Sequence, residues 1–347
     1  MATKRTSLKD IAESVGVSVS TVSYALNNGP KPVEAKLKQR ILDAAQLLDY
    51  RPNRMARAMK TQRSNVIVVA HSNPSDEFIQ SPVVGQSLSG IVNYALERHF
   101  DVLLYTHSTN VEGDELAGYM LDGRADGAIV LVPTDNSPAL AAIAERKVPG
   151  VHVAGPHGGA VPGVVIDNRE GCYLVLDLLG RYGHRAIAHI RGLGGMADAE
   201  QRLENYRAWM EAKGFPIASH WIQNGSFERE GGYEAMKKIL ASRPRPTAVF
   251  CANDRSAFGA VEAILEAGLR IPEDISVVGF DDSLEARLSP VPLTTVAQPG
   301  YEMGVAAART LIAMVEGTSH PRLTVFPPKL IERSSVSPPR EREGDPK

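Results

Sequence analysis

Only two cysteines occur in the 347 residues, Cys172 and Cys251. They lie far apart, in no C-x-x-C or Cys/His cluster, which excludes a disulfide framework and a structural zinc site and leaves both as small buried hydrophobes. No apolar run approaches bilayer length, and the opening MATKRTSLKD lacks the apolar core of a signal peptide, so a cytoplasmic chain with no membrane partner is expected. Catalytic motifs are missing as well. There is no G-x-S-x-G and no H-E-x-x-H, and the turn Gly192-Leu193-Gly194-Gly195 is neither G-x-G-x-x-G nor a Walker loop. No enzyme activity, cofactor or metal is therefore expected.

What is present begins with charge. Residues 1–63 carry 12 Lys+Arg against 5 acids, a net +7, while the whole chain is −2, so the remainder is −9. A basic head on an acidic body suits a polyanionic partner. Within the head, Leu8, Ile11, Ala12 and Val15 recur at helical spacing and Gly16 follows where a helix would stop. Ser18 then stands as an N-cap for a second helix, Val19 to Leu26, reached through a three-residue turn. Val22, Ala25 and Leu26 share one side of it, leaving Ser20, Thr21, Ser23 and Tyr24 outward, a hydrogen-bonding face that fits a major groove. Leu37, Ile41, Ala44, Ala45 and Leu48 make a third amphipathic helix. On periodicity alone, a plain three-helix bundle with a polar surface is the alternative, with Tyr24 a solvent-facing aromatic.

From Asn65 onward, β-branched runs alternate with amphipathic stretches: Val66–Val69, Val102–Leu104 and Ala128–Leu131 are each followed by a helical pattern. The rhythm restarts after Pro162 with Val164–Ile166, Ala186–Ile190, Ala248–Phe250 and Ile275–Val278. Strict alternation implies parallel sheets covered on both faces, here two doubly wound α/β lobes. Open sheets of this kind bind ligands beyond the carboxyl ends of their strands, which places Asn253-Asp254 and Asp281-Asp282 at a cleft edge. Amides and carboxylates there suit a polar ligand rich in hydroxyls. The alternative for Asp254 and Asp282 is helix capping, and for Phe227 a place in the core.

Asp10-Ile11-Ala12, Gly16-Val17-Ser18, Thr21-Val22-Ser23, Leu26-Asn27, Tyr50-Arg51-Pro52-Asn53 and Ala56-Arg57 together resemble the headpiece of the lac repressor (LacI/GalR) family of bacterial transcription regulators. Further stretches, among them Val165–Gly171, Asn253-Asp254, Val278–Asp282 and Pro292–Thr295, extend the resemblance to about residue 335. It implies a helix-turn-helix head over 1–50, a hinge helix and linker over 51–63, and a two-lobed effector-binding and dimerisation region over 64–335, like the sugar-binding proteins of the bacterial periplasm. Lobe 1 would hold about 64–163 and 294–320, lobe 2 about 164–293 and 321–335, with a disordered tail over 336–347.

The resemblance also implies roles. DNA contacts fall on Leu8, Ser18, Val19, Ser20, Thr21, Ser23, Tyr24 and Asn27, and in the hinge on Asn53, Ala56, Arg57 and Met59. Met59 stands at the position of the minor-groove wedge, usually leucine, and methionine is among the apolar wedges that unstack a base step. Tyr24 replaces the commonest residue, an arginine that reads guanine bidentately, so a different base step should be read. Glu34 and Leu37 stand where relatives offer Ser and Thr to phosphates. Effector contacts fall on Arg202, Asp281, Asn253, Phe227 and Phe78. Ala154 takes a position that is often acidic, with His152 a possible substitute.

The function these readings imply is that of an operator-binding regulator, a repressor in type. It would sit on the bacterial nucleoid, bind palindromic double-stranded DNA as a homodimer or higher oligomer, and respond to a small effector, a sugar or metabolite. A solute-binding protein of a transport system shares both lobes, but it would need an export signal and would have no basic head.

Overall fold

The computed structural model describes residues 6–27, 31–51, 63–71, 81–105 and 113–340. The hinge candidates Asn53, Ala56, Arg57 and Met59, the cleft candidate Phe78 and the side chain of Asn27 lie outside the described residues. The chain divides into two compact units, Met1–Ser64 and Asn65–Lys347.

In the first unit, α1 (Leu8–Val15), α2 (Val19–Asn27) and α3 (Ala35–Leu47) form as the spacing predicts. Ser7 and Asp10 close a reciprocal capping box on α1, and Gly16 ends that helix in the left-handed region, its N–H reaching the Ala12 carbonyl at 2.9 Å. Ser18 Oγ accepts the Thr21 N–H at 3.1 Å, the expected start of α2. Ile11, Ala12, Val22, Ala25, Ile41 and Ala45 make the core, with Leu8, Leu26, Leu37 and Leu48 packed on it. Every helix contributes to one small cluster, so none has a core without the other two.

The second unit holds two parallel sheets. The first, in the order β11-β5-β4-β3-β1-β2, comprises β1 (Val66–His71), β2 (Asp101–Tyr105), β3 (Gly127–Leu131), β4 (Gly150–Val153), β5 (Gly163–Ile166) and β11 (Leu323–Phe326). The second, in the order β7-β6-β8-β9, comprises β6 (Ile187–Arg191), β7 (Ile222–Asn224), β8 (Ala248–Cys251) and β9 (Ser276–Val278). A separate antiparallel ribbon pairs β10 (Thr295–Ala297) with β12 (Lys329–Ile331), the two strands that flank β11 in sequence. Helices cover both faces, and Gly90 lets one of them (Pro82–Glu97) lie against another (Gly300–Glu316), since a Cβ there would stand 2.1 Å from the Tyr301 carbonyl oxygen.

Three expected boundaries move. Val164–Ile166 and Leu323–Phe326 pair with each other in register inside the first sheet, so the chain leaves lobe 1 after Ile166 rather than at 163, and returns to lobe 2 after Phe326 rather than at 320. A continuous apolar run gives no sign of which sheet it enters. The tail expected to be disordered from 336 is ordered as far as the description extends, to Arg340. Ser335 exchanges hydrogen bonds with Val277 and Thr294, and Ser337 with Ser276 and His184.

His184 carries that last attachment. Its Nε2 donates to the Ser337 carbonyl at 2.8 Å and its Nδ1 lies 2.9 Å from the Thr247 hydroxyl, the pattern of a neutral ring. Burial pulls its pKa from 6.5 down to about 4. The unfolded chain therefore binds this proton first, and the ring's contribution to stability, complete above about pH 6.5, is lost as the pH falls toward about 4. His184→Gln is expected to lower the urea midpoint at neutral pH by about 1–2 kcal/mol of stability and to shrink the further fall on acidification. An acid-side fall of unchanged size would show that the ring is not its source.

Candidate effector cleft and DNA-facing helix

In the head, α2 presents Val19 and Ser20 as exposed side chains, with Thr21, Ser23 and Tyr24 half-buried beside them. Two candidates are occupied locally. Ser18 caps the helix and shares a 2.8 Å hydrogen bond with the Thr21 hydroxyl, and Leu8 is half-buried against the core. Leu37 also packs inward, which explains why no hydroxyl stands there, while Lys31 and Lys36 nearby are exposed.

In the body, a cavity of about 840 Å³ including its mouth opens between the lobes. It is lined where strands end: His71 as the last residue of β1, Val132 after β3, Ala154 after β4, Ser226 and Phe227 after β7, and Asn253 after β8, with Asp281 beyond β9 and Gln298 directly after β10. Backbone contacts join the lobes at its rim. The Asp135 N–H donates to the Gly195 carbonyl at 3.0 Å, and Thr134 bridges Met196.

Arg202 is the most constrained side chain in the cavity, only 2% exposed. Its Nε donates to Asn168 Oδ1 at 2.8 Å and its Nη1 to the Ala252 carbonyl at 2.5 Å. Its Nη2 lies 3.8 Å from Asp198, one helical turn earlier, and its plane sits 3.7 Å over the Phe280 ring. Asp281 follows with its backbone in the positive-φ region, at 122°, and its N–H donates to the Val296 carbonyl at 2.7 Å. Its Oδ1 accepts from Gln298 Nε2 at 2.6 Å. Burial, and then the neighbouring Asp254, push the Asp281 pKa above the usual carboxylate range, against the pull of Arg202.

The other expected contacts are sorted by this geometry. Asn253 faces the cavity, but its Oδ1 caps the following helix at Ser256 and its Nδ2 donates to the Phe227 carbonyl. Asp254 is buried behind the wall, accepting from Thr295 Oγ1 at 2.6 Å and the Ser283 N–H at 2.8 Å, so the cleft-edge expectation gives way to a structural one. Asp282 pairs with Arg287 and Arg333. Phe227 does line the cavity, its ring lying where a Cβ on Gly192 would be. His152 is buried in β4, away from the lining residues, with its pKa pulled down to about 4 by burial.

Residues 7–53 match the family model described as "Bacterial regulatory proteins, lacI family", and residues 176–336 match "Periplasmic binding protein-like domain". The HTH-type transcriptional repressor PurR of Pasteurella multocida (strain Pm70) is 33% identical over 335 residues, 95% of this chain and 98% of that protein. This chain belongs to the lacI family of bacterial regulatory proteins. The lac repressor dimer bound to operator and the anti-inducer ONPF matches its fold with a TM-score of 0.85 at 28% identity, covering 96% of this chain and 100% of that one. The CelR–cellobiose complex, a transcriptional regulator, follows at 0.73 and 30% identity, covering 95% and 100%. As a lacI-family member the chain is a DNA-binding transcriptional repressor with an effector-binding domain, and not an enzyme.

Sequence reading missed Asp198, Glu228, Arg255 and Gln298, all of which line the cavity. Asp198 had a signal, its spacing of four from Arg202, whereas Gln298 follows a strand too short to be seen as one. A test of the electrostatics rests on Asp281. A folded-state value raised in this way stabilises the protein fully below the ordinary carboxylate range and progressively less as the pH rises through the raised value. Asp281→Asn is expected to flatten the loss of denaturation midpoint between about pH 4 and about pH 8. A loss of the same size in the variant would remove Asp281 as its cause.

Proposed function

We propose that this lacI-family repressor binds a palindromic operator as a homodimer, and that a small polar effector, a sugar or sugar derivative, sets its affinity for DNA by occupying the cleft. The observation that carries the reading is the cavity itself. It is lined from both lobes at strand ends, with a buried guanidinium and a buried carboxyl among its walls, so one ligand touches both halves of the body. A ligand that favours one arrangement of the lobes shifts the population of that arrangement, and the difference in affinity is felt at the DNA.

The readers on this account are Val19, Ser20, Thr21, Ser23 and Tyr24 on α2, with Asn27 at its end and Asn53, Ala56, Arg57 and Met59 in the hinge. Dimerisation is supported by apolar side chains left exposed on both lobes, Leu96, Leu103 and Leu104 on the first and Leu284 and Leu288 on the second, and by the dimeric state of the lac repressor on its operator. The site of action is the cytoplasm, at the nucleoid. A transport-type binding protein is disfavoured because the basic head would have no use in it.

Two experiments test the reading. With a ligand identified by thermal shift across sugars and metabolites, full-length Arg202→Ala should keep operator binding in a gel-shift titration and lose about tenfold or more of the ligand's effect. Loss of both would make Arg202 purely structural. Tyr24→Ala, selected against an operator library, should change preference at one base step, by about 1–3 kcal/mol. Unchanged selectivity would remove Tyr24 from the readers.

A further inference from the structure

At one edge of the cavity the two lobes meet through main chain. Lobe 1 offers residues 132–137, just after β3, and lobe 2 offers residues 192–196, just after β6. The Asp135 N–H donates to the Gly195 carbonyl at 3.0 Å, and Thr134 and Met196 face each other as an isolated antiparallel pair. Val132 on one arm and Leu193 and Met196 on the other line the cavity, so the contact closes beside it. Each arm is fixed from behind within its own lobe. On lobe 1 the Val132 N–H donates to the Val153 carbonyl at 2.8 Å and the Ser137 N–H to the Thr134 carbonyl at 3.1 Å, while Ser137 Oγ caps the helix Pro138–Arg146. On lobe 2, Glu200 Oε1 accepts from the Gly195 N–H at 3.3 Å and from Arg191 Nη2 at 2.7 Å. Two arms shaped in advance lose little freedom when they join.

The junction is opposed as well as favoured. Val132 has its φ at 48°, a left-handed value that a β-branched residue takes only under constraint, and Gly195 has its own at 81°. Across the gap the Asp135 carboxyl meets those of Glu200 and Asp198. Partial burial, and then these two neighbours, raise its pKa above the ordinary carboxylate value. No cation relieves it, since Arg191 pairs with Glu200 and Arg202 with Asp198.

We propose that the junction of Thr134–Asp135 with Gly195–Met196 is a latch that holds the lobes together through main-chain hydrogen bonding, kept weak by the Asp135 carboxyl and the constrained Val132 so that the lobes can part. Its bonds run between protein groups alone, so it forms without a ligand's help. Its strength sets how readily the body moves between arrangements, and hence how strongly the head feels the change. One hydrogen bond set against carboxyl repulsion is a balance that a small differential affinity can tip. This rests on the coupling of lobes to DNA proposed above and is independent of the effector's identity.

Two measurements on the full-length protein test it, neither needing a ligand. Hydrogen exchange resolved at the Asp135 amide should show protection in the native protein. Gly195→Ala should speed that exchange about fivefold, because a Cβ there meets nothing within 4 Å and the left-handed backbone alone carries the cost. Asp135→Asn, corrected for its intrinsic rate, should slow it about twofold. An unprotected Asp135 amide, or exchange that neither variant moves, overturns the latch. The second measurement uses Thr134→Cys with Met196→Cys. Facing residues of an antiparallel pair stand about 4.5–5.5 Å apart at Cα, within reach of a disulfide, and Cys172 and Cys251 are fully buried, so the new thiols alone react. Diamide should cross-link most of the protein, reversibly with dithiothreitol, and a pair that stays reduced counts against the contact. The oxidised form, held closed, should then differ by about tenfold or more in Kd from the same variant alkylated with N-ethylmaleimide, whose arms are held apart, on a duplex selected by the full-length protein from a random library. Equal affinities overturn the regulatory role, whereas the effector reading stands or falls separately on Arg202→Ala.

Discussion

A guanidinium cannot be deprotonated at any ordinary pH, so a fully buried one must be held by partners wherever the chain can provide them. Arg202 draws those partners from separate segments: Asn168 just after the first passage between lobes, the carbonyl of Ala252 at the end of β8, and the Phe280 ring beyond β9. Phe280 in turn needs room, which Gly171 gives it, because a Cβ at that position would stand 2.8 Å from the ring. Segments distant in sequence are thereby fixed around one charge. Asp281, the next residue after Phe280, inherits its position from the same arrangement. The cleft floor is thus set before any ligand arrives, and a pre-set site loses less freedom on binding.

Asp281 also connects that floor to the passage between lobes. Its N–H is bonded to Val296 in β10 and its carboxyl to Gln298, the residue just after that strand. Beyond Gln298 the chain enters the helix Gly300–Glu316 of lobe 1, whose Met303, Ala307 and Leu311 lie in the lobe 1 core. A group bound to Asp281 and Gln298 therefore touches lobe 2 and the strand that leads out of it at the same point. Closure about such crossing segments needs only a few residues to absorb the change.

What could be read from the chain followed from how local the determining interactions are. The helices of the head were legible because caps and periodicity are carried within a few residues, as the Ser7–Asp10 box and Gly16 show. Arg202 and Asp281 were legible as cavity-lining residues through a family pattern and strand-end position. Asp254 was placed at the cleft edge because capping and ligand binding ask for the same side chains, and only its partners at Ser283 and Thr295 put it behind the wall, whereas Asn253 both lines the cavity and caps the helix at Ser256. β10 and β12 are three-residue strands whose pairing spans more than thirty residues, so neither periodicity nor turn chemistry marks them. A far longer separation, about 160 residues, hides the pairing of β5 with β11, and with it the passage between lobes.

The overall charge of −2 conceals a separation that matters for regulation, since the first 63 residues carry +7 and the rest −9. Phosphate is attracted to the head, whose affinity rests on counterion release and falls with salt. The cleft is built otherwise, from one buried guanidinium, buried carboxyls and an aliphatic and aromatic wall, which suits a small polar molecule and not a polyanion. The two ligands do not compete for one site, so whatever coupling exists between them must pass through the protein.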